Sequence, residues 1–178
     1  MLLTLAELHK PVIKNTVLFR SFMGQYNDNP RYISEELHRR CPEIKTVWVV
    51  RDGKREDFPD YAELVELGSA EYIRYISRAE VVVDNYSGCR SNFLDNGNII
   101  KKLVLPVVGK RKKGQLNIST WHGTPLKHIA LDEPKYKKSK HSRAYINADI
   151  LMAGCKVTAD AFSIALNWAK QIMMCGTP

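Results

Sequence analysis

The run Val81-Val82-Val83, closing on Asp84, constrains this chain more than any other stretch. Consecutive β-branched residues with no polar alternation suit a strand covered on both faces. Such strands belong to parallel sheets with helices on either side. The remaining segments fit that scheme. Asn15–Arg20 and Lys45–Arg51 read as strands, as do Gln115–Thr120, Asp149–Ala153 and Gln171–Cys175. Ser21–Asn29 reads as loop. Asn29-Pro30 marks a helix start, with Asn29 as N-cap, and the helix runs through Tyr32–Arg40 to a stop at Pro42. Ser69–Ala79 is a helix with Tyr72, Ile73 and Ile76 on its buried stripe. Thr158–Trp168 is a third, capped by Thr158. Pro59–Gly68 fits a short helix or irregular chain, Leu103–Val108 a short strand, and Pro134–Arg143 a lysine-rich loop. This alternation, without repeats, specifies a doubly wound, Rossmann-like α/β domain with a largely parallel sheet. The polar tips Asp84-Asn85, His122 and Gly154 then line the carboxyl edge, where open α/β sheets bind ligands.

A length of 178 residues supports one domain with a real core. We divide it into an N-terminal segment, residues 1–11, and a domain, residues 12–178. Met1–Lys10 is too short to span a bilayer and lacks the marks of a signal peptide. It fits an amphipathic helix on a membrane surface, a helix packed on the domain, or the remnant of a leader. Cys41, Cys89, Cys155 and Cys175 form no Cys-x-x-Cys pair and read as reduced cytosolic thiols. The apolar β run Gln171–Cys175 followed by Gly-Thr-Pro reads as a chain that continues into another domain.

The net charge is +8, but residues 101–143 alone carry twelve Lys/Arg against two acids, a local +10. The remainder sums to −2. Such concentration points to a polyanionic partner: nucleic acid, a phosphate polymer, a nucleotide or anionic lipid. A solvated basic loop without a partner is the plain alternative.

Ser119-Thr-Trp-His-Gly-Thr-Pro-Leu-Lys127 sets a histidine and a tight turn directly after a strand, with a lysine five residues on. Strand tips of this kind present reactive side chains. A structural His–Gly turn beside a buried Trp121 is the competing explanation. Two further blocks accompany it. One is Phe19–Ile33, reading Phe-Arg-Ser-Phe-Met-Gly-Gln-Tyr-Asn-Asp-Asn-Pro-Arg-Tyr-Ile, with Val47-Trp48-Val49 behind it. The other is the terminal Gly176-Thr-Pro178. Together, from about residue 12 onward, the three resemble the CDP-glycerol glycerophosphotransferase family of teichoic acid biosynthesis.

The resemblance implies the N-terminal, acceptor-side half of a glycosyltransferase-B-type architecture. A C-terminal donor domain would supply most contacts to CDP-glycerol, and the 178-residue chain alone is expected to be inactive. The implied reaction moves glycerol phosphate to a hydroxyl of a lipid-linked polyol-phosphate acceptor and releases CMP. His122 matches the family's general base, a role that suits an imidazole near neutral pH. Lys127, with the amides of Gly123 and Thr124 at the start of a following helix, would balance phosphoryl charge. Asn29 and Arg31 fall in the block implied to contact substrate. Lys110, Arg111, Lys112 and Lys113, with the Lys135–Lys140 run, would hold a polyanion or an anionic membrane, making the protein peripheral on the cytoplasmic face.

No cofactor or metal is expected. His122, His128 and His141 match no standard ligand spacing. Cys89 with His122 lacks the signature of a nucleophile pair, and neither Gly-x-Gly-x-x-Gly nor a P-loop occurs. A rival reading is a non-catalytic basic module for nucleic acid or anionic membrane. Only Tyr136 interrupts Lys135–Lys140 with an aromatic ring, which offers little stacking surface to nucleic acid.

Overall fold

The computed structural model describes residues 7, 9–51, 54–85, 112–133, 148–166 and 171–176. Among these, seven strands form one sheet: β1 (Ile13–Arg20), β2 (Lys45–Val50), β3 (Glu63–Glu66), β4 (Ala79–Asp84), β5 (Leu116–Ser119), β6 (Ile150–Ala153) and β7 (Gln171–Met174). Their order is β3-β2-β1-β4-β5-β6-β7 and every neighbouring pair is parallel. Three α-helices accompany them: α1 (Asp28–Arg40), α2 (Ala70–Arg78) and α3 (Lys156–Ala165). The strand order reverses between β1 and β4, so the switch point of this Rossmann-like sheet lies at Arg20 and Asp84, which are register partners.

The unbroken apolar runs have a direct cause. Leu18, Val47, Val49 and Val82 pack with Tyr72, Tyr75 and Ile76 of α2. Their neighbours Val17, Phe19, Trp48, Val50 and Val83 pack in a separate cluster with Ile33 and Leu37 of α1. Successive strand residues point to opposite faces, and both faces are covered, so neither parity can be polar. Ser69 caps α2 by accepting from the Tyr72 amide at 3.1 Å. Gly24 lies in the loop between β1 and α1 at φ 64°, where a Cβ would stand 2.4 Å from the Arg51 nitrogen. That close approach admits only glycine.

Several expectations are corrected. Pro59–Gly68 holds β3 rather than a helix or irregular chain. Leu64 and Val65 pair with Trp48 and Val49, and Lys45 meets Glu63 at 2.5 Å. Four residues are too few for a period to show in the sequence, and pairing with β2 decides the conformation. Helix α1 begins at Asp28, with Asn27 rather than Asn29 as N-cap. The Asp28 carboxylate accepts from the Asn29 amide at 2.8 Å, which frees the Asn29 side chain to reach elsewhere. Helix α3 begins at Lys156 behind Cys155 and ends at Ala165. Thr158 is therefore not its cap but a buried residue of its first turn, bonded at 2.8 Å to the Thr124 hydroxyl. Tyr75, unassigned in the sequence pattern, is fully buried on α2.

Glu7 and Lys10 are tied to the opposite, amino edge of the sheet. Glu7 bonds Lys10 at 2.6 Å and Arg78 at 2.8 Å. Burial pushes its carboxyl upward, but the bonds from Lys10 and Arg78 outweigh this and hold it below the usual range. The predicted strand Leu103–Val108, the loop Pro134–Arg143, and Lys110, Arg111, Cys89 and His141 lie outside the described residues. No helix among the described residues is long and apolar enough to cross a membrane.

Candidate active site

β4 and β5 run side by side, with Asp84 opposite Ser119. One more rung follows, as the Thr120 amide donates to the Asp84 carbonyl at 2.9 Å. The chain then turns sharply, because Trp121 adopts φ 53°. A left-handed aromatic residue is strained by about 1–3 kcal/mol and persists only where its surroundings enforce it. Here they do. The indole packs edge-on against Phe162 of α3, with centroids 5.2 Å apart, and stacks on the His122 imidazole at 4.6 Å. From the other side, Asn29 Nδ2 donates to the carbonyls of Thr120 and Trp121, both at 3.4 Å.

This turn places His122 on the carboxyl edge with an exposed side chain. Its Nδ1 lies 3.0 Å from the backbone oxygen of Asn85, at the tip of β4. A carbonyl oxygen can only accept, so in the neutral ring the proton resides on Nδ1 and Nε2 keeps its lone pair. An exposed imidazole held through Nδ1 can accept a proton at a bare Nε2. Asn85 is itself held: Nδ2 donates to Ser21 Oγ at 3.1 Å and to Asp28 Oδ2 at 2.6 Å. Beside it, Arg20 and Asp84 form an ion pair at 3.1 Å with side chains only 10% and 4% exposed.

The chain matches, over residues 2–178, the family described as CDP-Glycerol:Poly(glycerophosphate) glycerophosphotransferase. It belongs to that family. It is similar to a teichoic acid poly(glycerol phosphate) polymerase of Staphylococcus epidermidis, 29% identical over 187 residues that cover 98% of this chain and 23% of the relative. The polymerase of the same name from Bacillus subtilis is 28% identical, with 94% and 22% covered. Among solved structures it resembles the wall teichoic acid polymerase TagF, at TM-score 0.74 and 27% identity, covering 99% of this chain and 42% of that one. This glycerophosphotransferase-family chain thus spans less than a quarter of those two curated relatives and less than half of that solved one.

The other sequence-predicted residues of this family member are not equally placed. Gly123 and Thr124 do not open a helix. The segment from Thr120 to Ile129 is extended or bent, and the first helical turn after it is the 3-10 turn Ala130–Asp132. Thr124 precedes Pro125, which disfavours the helical conformation there, and Gly123 has φ 143°. Their amides therefore lack a helix dipole behind them. Instead Gly123 and Thr124 line a shallow pocket with Asn29, Trp121, Gly154 and Thr158, facing the first turn of α3. Met152 and Phe162 also line it, and its space of about 20 Å³ is close to that of a single water. Cys155, the N-cap of α3, has its thiol pulled below the ordinary value by the bond from Thr158.

Lys127 is exposed beyond the turn. Arg31 lies one turn into α1, bonded through Nε to Glu35 at 2.8 Å and resting over the Tyr26 and Tyr32 rings at 5.2 and 5.5 Å. Asn29 joins the site through its grip on the Thr120–Trp121 carbonyls. Lys112 is placed elsewhere: its ammonium donates to the backbone oxygens of Glu7 and Lys10 at the amino edge. Lys113 is exposed. His128 bonds the Asp132 carboxylate. Sequence patterning missed the parts played by Asp28, Asn85 and Thr158. Their only advance signals were the strand-tip position of Asn85 and the polar Asn27-Asp28-Asn29 cluster.

Proposed function

We propose that this chain is the acceptor-side, N-terminal half of a glycosyltransferase-B-type CDP-glycerol glycerophosphotransferase. The observation that carries the reading is the bond from His122 Nδ1 to the Asn85 carbonyl, which leaves Nε2 free. In the proposed reaction Nε2 takes the proton from an acceptor hydroxyl while that oxygen attacks the phosphorus of the glycerol phosphate unit. The bond from phosphorus to the CMP oxygen breaks, and CMP leaves with that electron pair. The acceptor is a lipid-linked polyol-phosphate chain. Gly123 and Thr124, exposed beside His122, contact the reacting ends, and exposed Lys127 together with Arg31 balances phosphate charge. Family membership and the relatives' names support this assignment; most contacts to CDP-glycerol belong to a donor half. The test is CMP release from CDP-glycerol, with a lipid-linked acceptor, by this chain joined to the donor half of a relative.

The same reading puts the protein peripherally on the cytoplasmic face of the membrane, held by basic residues. Lys112 is engaged with Glu7 and Lys10, so the expected contacts are Lys110, Arg111 and Lys113. Each basic residue near an anionic surface contributes about 1 kcal/mol. Changing these three to Gln should weaken co-sedimentation with phosphatidylserine-containing vesicles at least about tenfold. Binding of the unaltered chain should also fall with salt, since the screening length is ~10 Å at 0.1 M. Salt-insensitive binding that survives the triple change would assign the attachment to apolar contacts instead.

A further inference from the structure

We propose that Asp28 is a positioning residue that sets the tautomer of His122 through Asn85. The proposal rests on the reading of His122 as a base. Asp28 is the first residue of α1 and holds φ 58°, a left-handed conformation unusual for a non-glycine residue. Both of its carboxylate oxygens are used. Oδ1 accepts from the Asn29 amide at 2.8 Å, and Oδ2 accepts from Asn85 Nδ2 at 2.6 Å.

Asn85 is 1% exposed, and its peptide oxygen is the group that receives His122 Nδ1–H. The carboxylate of Asp28 thus orients the side chain of the residue whose backbone orients the imidazole. Asn29, the next residue, grips the same turn through the Thr120 and Trp121 carbonyls. The first turn of α1 therefore holds the His122 turn from two sides, once through β4 and once directly.

The chemical consequence is specific. A neutral imidazole carries one ring proton, and the partner of one nitrogen decides which atom bears it. If the Asn85 peptide rotates away, Nδ1 loses its acceptor and the proton can move to Nε2. In that tautomer the nitrogen facing an acceptor hydroxyl is already protonated and cannot take another proton. A helix cap alone would change stability without changing the tautomer.

The experiment uses the 178-residue chain, uniformly labelled with nitrogen-15, at a pH above the imidazole titration. Two-bond proton–nitrogen correlations distinguish bare from protonated ring nitrogens, and the His122 signals are assigned by their loss in His122→Ala. The unaltered chain should show Nδ1 protonated and Nε2 bare. Asp28→Ala should move a substantial share of the ring to the Nε2-protonated form. Asp28→Asn keeps one acceptor oxygen for two N–H donors and should shift the ring less than Asp28→Ala does. Asn85→Ala should match Asp28→Ala, and the double variant should go no further, as expected for two residues acting in one chain of contacts. A folded Asp28→Ala chain with the His122 tautomer unchanged overturns the proposal. So does an Asp28→Asn chain shifted as far as Asp28→Ala. If Asp28→Ala does not fold, Asn85→Ala decides by the same spectrum. These outcomes stand apart from turnover: loss of the tautomer effect removes Asp28 from this role, whereas undiminished turnover in a His122→Ala enzyme removes His122 from catalysis.

Discussion

His122→Ala is expected to lower CDP-glycerol turnover by at least about a hundredfold, the low end for loss of a general base. The measurement is CMP release in the presence of a lipid-linked acceptor, by this chain joined to a relative's donor half. An acceptor hydroxyl is a weak nucleophile at neutral pH, and proton removal must accompany its attack. In the proposed mechanism Nε2 takes that proton, because Nδ1 faces the Asn85 carbonyl. Alanine removes the proposed base, while the proposed contacts to CDP-glycerol lie mostly in the donor half. The KM for CDP-glycerol should therefore change little while kcat falls, the pattern of an interaction made in the transition state. His128→Ala should be nearly neutral, since that imidazole is exposed and bonded to Asp132 rather than aimed at the turn. The Trp121 indole stacks on the His122 ring, so circular dichroism must show an intact fold before a loss is assigned to chemistry. A folded His122→Ala enzyme with near-normal turnover would remove His122 as the base.

Trp48→Ala is expected to cost about 3–5 kcal/mol of unfolding free energy. The side chain is fully buried in β2. Its rings stack with Phe19 at 5.4 Å and meet Tyr26 and Phe58 edge-on at 4.9 and 5.7 Å. The indole nitrogen donates to Ser34 Oγ at 3.0 Å, joining β2 to α1. Alanine would leave a cavity at the centre of that face and weaken the seat of the helix that carries Asp28 and Asn29. Against a typical total of about 5–15 kcal/mol, this is a large fraction. Urea unfolding of the 178-residue chain should show a lower midpoint with a similar slope. Leu126→Ala is the contrast. That side chain is 96% exposed, and its loss should change stability by no more than about 0.5 kcal/mol. A cost below about 1 kcal/mol for Trp48→Ala would show that this cluster does not anchor the sheet.

Much of the architecture was legible in the sequence because it is local. Val81–Val83 and Val47–Val50 announce strands with two covered faces through composition alone. The strand-to-turn step at Thr120–Gly123 marked His122 as the exposed tip before any contact was known. Local patterns failed where a distant partner chooses the conformation. Glu63–Glu66 is a strand because β2 lies beside it. Thr158 looked like a cap, and only the position of Thr124 shows its hydroxyl bonded across to another loop. Gly123-Thr124 looked like a helix start, yet Pro125 and the glycine's φ 143° keep the segment out of a helix.

Sequence alone determined which histidine stands at the carboxyl edge, since strand periodicity and turn residues act over a few neighbours. Tertiary structure alone decided what that histidine contacts. A carbonyl at the tip of another strand faces Nδ1 and favours the neutral ring that carries its proton there, and that strand tip is held by the first turn of a helix far away in the chain. Hydrogen bonds between segments distant in sequence leave no periodic trace, so the state of the imidazole emerges only when β4, β5 and α1 converge.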